Sequence, residues 1–144
     1  MEELEQKDKY YTPSLEEFFV GFEFEHFNYE GKLVSNPKWN KKDWNKEICD
    51  ADWFNILLDE YEHDEDAVKD YRVKYLDVED IESFGFKPDP SGERYFELGG
   101  YQLYVNIHPI HNITIYNEAA TIIFQGTVKN ANELKKVLQM IGVL

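Results

Sequence analysis

The chain has 144 residues, 42% of them hydrophobic, with ten Phe, ten Tyr and three Trp, and a formal charge of −14. That much apolar and aromatic material argues against intrinsic disorder, the length suffices to bury about two-thirds of the unfolded surface around one core, and the charge disfavours nucleic acid and anionic membranes while favouring basic protein surfaces. A single cysteine, Cys49, cannot close an intrachain disulfide, and no apolar run approaches the roughly 18 residues of a membrane span, so a cytoplasmic protein is expected.

Residues 1–11 are polar and unpatterned and are expected to form a flexible arm, with 12–144 as one α+β domain. From Phe18 to Phe27, Val20, Phe22, Phe24 and His26 alternate with Glu23 and Glu25, the pattern of a half-exposed strand, with His26 as a half-buried packing residue. A turn at 28–31 would return the chain through Lys32, Leu33 and Val34. Asp50 or Asp52 is suited to cap a helix, since a short carboxylate accepts hydrogen bonds from free backbone N–H groups at the positive end of the dipole. Ala51, Phe54, Leu57, Leu58 and Tyr61 then recur at helical spacing as one apolar stripe.

A strand over 71–76 and a short helix from Asp77 to Gly85 follow, with Ile81, Phe84 and Phe86 as buried contacts. Beyond a Pro-rich turn, apolar segments at 94–98, 101–107, 112–116 and 121–128 lie too close together for parallel crossovers and predict an antiparallel meander. Asn130 and Glu133 have capping-box spacing, and Leu134, Val137, Leu138 and Ile141 form a stripe closed by Gly142. This last helix is expected to cover one face of the meander.

Charge is concentrated in two segments: residues 1–30 hold nine acidic and two basic groups and residues 49–70 nine and one, whereas residues 98–144 hold two and three. His108-Pro-Ile-His111 suggests a metal pair, but Pro109 forbids the helix that would align the rings, so a turn is the reading and no metal is assigned. The run from Asp59 to Asp66 lacks the ligand alternation and central glycine of a calcium loop. No Gly-rich phosphate loop and no nucleophile elbow occurs, and neither a catalytic residue nor a cofactor is expected.

Two binding readings remain. In the first, Asp59, Glu60, Glu62, Asp64, Glu65 and Asp66, with Trp53, Tyr61, Trp39 and Trp44 as aromatic anchors, meet a Lys/Arg-rich surface on another protein. Carboxylates accept the bidentate arginine bonds that phosphates accept, and Trp and Tyr carry much of the energy at interfaces. In the second, Lys38, Lys41, Lys42 and Lys46, interleaved with Trp39 and Trp44, contact phosphates and stack on single-stranded bases. Solubility alone also explains an acidic surface.

The segments Tyr11-Thr-Pro-Ser-Leu-Glu-Glu-Phe-Phe-Val-Gly-Phe-Glu-Phe-Glu25, Arg72-Val-Lys-Tyr-Leu-Asp-Val-Glu-Asp-Ile-Glu-Ser-Phe-Gly-Phe86, Ile115-Tyr-Asn-Glu118 and Phe124-Gln-Gly-Thr-Val-Lys129 resemble small proteins encoded by phages and prophages of Bacteroidota. The resemblance implies a bacterial host cell and brings no catalytic motif. It points to an inhibitor of anti-CRISPR type, whose partner would be a Cas nuclease or its guide-RNA complex. Cas13b or Cas9 is the first expectation, because such nucleases hold RNA in basic channels.

Overall fold

In a computed structural model the described residues are 9–28, 43–90, 92–106 and 111–144. Residues 29–31 of the turn expected at 28–31, the return through 32–34, Trp39, Lys38, Lys41, Lys42 and His108 lie outside them, as do the first eight residues of the expected arm. The architecture is α+β, with two antiparallel sheets and a C-terminal helix. Two compact units form, Tyr10–Lys74 and Tyr75–Leu144, the latter with Lys9. The buried apolar residues accordingly gather in two clusters where length alone suggests one.

The first unit is a four-stranded sheet in the order β1 (Tyr10–Tyr11), β4 (Tyr71–Lys74), β2 (Glu23–Asn28), β3 (Asp43–Ile48), with α1 (Ala51–His63) and α2 (Glu65–Val68) between β3 and β4. Tyr10 and Tyr11 are therefore not part of a loose arm, because they pair antiparallel with Lys74 and Val73. The strand expected from Phe18 starts only at Glu23. Phe18 closes a 3-10 turn over Leu15–Glu17, and Gly21, at φ +97°, bends the chain in a conformation open to glycine. Val20, displaced from the strand, is 69% exposed instead of packed. Downstream of the bend the alternation holds, with Phe22 and Phe24 buried and Glu23 exposed.

Asp50 is the N-cap of α1, its side chain accepting from the Trp53 N–H at 2.8 Å. The helix buries Leu57, with Trp53, Phe54 and Tyr61 packed on the same cluster as Phe18, Phe22, Phe24, Tyr71 and Val73. Ala51 and Leu58 are exposed, contrary to the expected stripe. At about 100° per residue, Leu58 is turned well away from Leu57, and the stripe is centred one position earlier, taking in Trp53.

The second unit is a five-stranded meander, β5 (Lys87–Pro88), β6 (Tyr95–Leu98), β7 (Tyr101–Val105), β8 (Asn112–Tyr116) and β9 (Ile122–Thr127), each strand antiparallel to the next. A bulge interrupts the β8–β9 register at Ile115/Tyr116. Ahead of it, Asp77 and Asp80 cap α3 (Val78–Ser83) reciprocally, and Gly85, at φ +102°, ends that turn of chain. Asn130 caps α4 (Ala131–Met140) through the Glu133 N–H at 2.9 Å, while the Glu133 carboxylate accepts from the Lys129 N–H at 2.6 Å, one residue earlier than a capping box requires. Leu134, Val137 and Leu138 of α4 share a core with Phe96, Leu103, Val105, Ile113 and Ile115, so the helix covers one face of the meander.

Candidate functional site

Helix phase sorts the carboxylates of residues 50–70 into two kinds. Glu60 lies three residues after Leu57 and points inward, accepting a 2.6 Å hydrogen bond from the Tyr71 hydroxyl. Tyr71 is fully buried, and burial first, then the bond and charge of Glu60, pushes its phenol well above the usual range. Tyr61 donates to the Pro13 carbonyl at 2.7 Å, and burial, followed by Glu17 and Glu60, raises its phenol likewise. Trp53 stands edge-on to Phe24 at 5.2 Å and to His26 at 5.3 Å. His26 is thus a half-buried packing residue, as its strand position suggests.

The remaining acidic candidates face water. Asp59, Glu62, Asp64, Glu65 and Asp66 are all exposed. Asp64 is spoken for by the backbone: its N–H donates to the Glu60 carbonyl, closing α1, and its carboxylate accepts from the Asp66 and Ala67 N–H groups at 3.1 Å, opening α2. Glu62 approaches His63 Nε2 at 3.9 Å. Asp59, Glu65 and Asp66 have no side-chain hydrogen bond or ion pair among the described residues. One turn of chain therefore presents several unneutralised carboxylates, held by two short, capped helices. Of the six acidic candidates, Glu60 turns inward and Asp64 is engaged as a cap. Trp53 and Tyr61 are half-buried and fix the helix to its sheet.

On β3, Trp44 packs edge-on against Phe27 at 5.2 Å and lies under the Arg72 guanidinium, 4.2 Å from its carbon, while Lys46 is exposed. Arg72 also sits 3.7 Å over the Tyr10 ring, and its Nε and one terminal nitrogen both donate to Glu25 Oε1, at 3.1 and 2.8 Å. A cation held between two aromatic rings and a carboxylate satisfies itself locally. This occupies one face of Trp44 that base stacking would use. The Arg72 cluster was not visible in the sequence, because Glu25 and Arg72 are 47 residues apart and only the β2–β4 register brings them side by side.

No group of three or more His, Cys, Asp or Glu able to hold a metal occurs among the described residues. His111 stacks on Tyr75 at 4.8 Å, and burial, with Lys129 second, lowers its ring below the usual histidine range. No helix among the described residues is long and apolar enough to cross a membrane. No protein-family model matches the chain, and neither a curated protein nor a solved structure is significantly similar to it.

Proposed function

We propose that the protein is a non-enzymatic binding protein whose acidic surface on α1 and α2 engages a basic, nucleic-acid-handling protein, as a phage-encoded inhibitor of anti-CRISPR type would. The observation that carries this reading is the exposure of Asp59, Glu65 and Asp66 without neutralising partners among the described residues, with Glu62 exposed beside them near His63, in a segment of nine acidic groups and one lysine. Such a surface attracts arginines and lysines over about a Debye length, roughly 8–10 Å at moderate salt, and speeds encounter more than it deepens affinity. It competes for the cationic channel that otherwise holds RNA, since carboxylate and phosphate present similar acceptor pairs to a guanidinium. A Cas13b or Cas9 nuclease, alone or with its guide RNA, is the partner to test first.

The test is an affinity capture from a Bacteroidota lysate at low and moderate salt. Native protein is run beside a variant carrying Asp59→Lys, Glu62→Lys, Glu65→Ser and Asp66→Ser, which leaves both helix caps in place. A basic protein retained at low salt, released as salt rises and absent from the variant is the expected outcome. Identical captured sets for the two proteins would defeat the proposal.

A further inference from the structure

Two sheets have four edges, and an open edge offers unpaired N–H and C=O groups to any extended chain. Three of the four are guarded by familiar means. β1 is two residues long, β5 is two residues long and includes Pro88, and β3 carries Lys46 and Glu47. β9 is different. It spans six residues, Ile122–Thr127, with no charge and no proline, and the uncharged run extends from Ala119 to Val128. Ile122 is 49% exposed on this strand. Among the described residues no strand lies beyond it.

The direction of its backbone groups follows from the hydrogen bonding. The Val128 N–H donates to the His111 carbonyl at 2.7 Å, which makes Thr127 and Asn112 a non-hydrogen-bonded pair. By alternation, Gly126 and Phe124 exchange their bonds with β8, while Gln125 and Thr127 turn their N–H and C=O groups toward the open edge. Both residues are exposed.

We propose that this edge of β9 pairs antiparallel with the same edge of a second copy of the chain, joining two meanders into one sheet across a two-fold axis. Self-complementarity selects the occupant, since the outward N–H and C=O groups of Gln125 and Thr127 meet their own counterparts across a two-fold axis. Two chains of −14 repel wherever their acidic segments meet, but residues 98–144 carry two acidic and three basic groups, a net of +1, and within them β9 carries none. An isologous contact along β9 sets no charged side chain of that strand against its like. A six-residue edge is only about 20 Å long, so the pairing is a weak, concentration-dependent one.

Sedimentation of the full chain from low to high concentration, with amide exchange read at Gln125 and Thr127, tests this. Association should grow with concentration and slow exchange at those two amides, leaving the inward amides of Phe124 and Gly126 unchanged. Gln125→Pro removes an outward N–H without touching the β8 ladder, and Thr127→Lys places a charge on the edge; each should lose the association while keeping the native dichroism. Should the proline variant fail to fold, the lysine variant decides. A monomer at every concentration, association that survives Thr127→Lys, or protection of Gln125 and Thr127 that requires a different protein would each overturn the second-copy pairing.

Discussion

The Tyr71 hydroxyl shows how one atom can divide a charged run. Its 2.6 Å bond to Glu60 is charge-assisted, and both partners lie in or against the core of the first unit. Replacing Tyr71 with Phe removes the donor and leaves a half-buried carboxylate without it, at a cost of about 1–2 kcal/mol, measurable by urea unfolding near neutral pH. The phenol is raised above its ordinary value of about 10 by burial, then by Glu60. Above that pH the unfolded chain gives up the proton that the folded chain keeps, so the folded state binds more protons and stability falls as pH rises. The penalty of Tyr71→Phe should accordingly shrink at pH values beyond about 10, since the variant has no such proton to lose. A penalty that stays constant into alkali would show that folding does not raise the phenol's pKa.

Elements differ in how far local pattern determines them. The meander was legible because short connections allow only antiparallel neighbours, and the α4 stripe because its four apolar positions repeat without interruption. The α1 stripe was read nearly right; placing its centre at Leu57 would have brought in Trp53 and Glu60 and excluded Leu58. The sheet order β1-β4-β2-β3 was not legible, since Tyr10 and Tyr11 pair with residues more than 60 positions away and their own surroundings carry no periodic signal. The Arg72 cluster was hidden for the same reason. Asn130 is fully buried at the start of α4, so Asn130→Ala should cost about 1–2 kcal/mol through loss of the cap. A thermal melt of that variant measures the loss, and Asn130→Asp, which keeps an acceptor, should recover part of it.

For the molecule as a whole the dominant quantity is its charge, which opposes compactness and association alike. The variant with lysines at 59 and 62 and serines at 65 and 66 gains two charges at each of the first pair and one at each of the second, moving the formal total from −14 to −8. None of the four removed carboxylates holds a hydrogen bond in the core, and lysines near the C-terminal end of α1 suit its dipole. The variant should therefore melt no lower than the native protein and respond less to added salt, as a differential scan at two ionic strengths would record. A large drop in melting temperature would mean that these side chains support the fold, and loss of partner binding could then no longer be ascribed to charge.

Trp39, Trp44, Trp53 and Cys49 all fall between Tyr10 and Lys74, and the thiol is 1% exposed. Indole emission and thiol labelling are consequently private signals of a single unit, and its meander-bearing companion is dark to both. A maleimide pulse counts the openings of that one body without any engineered label.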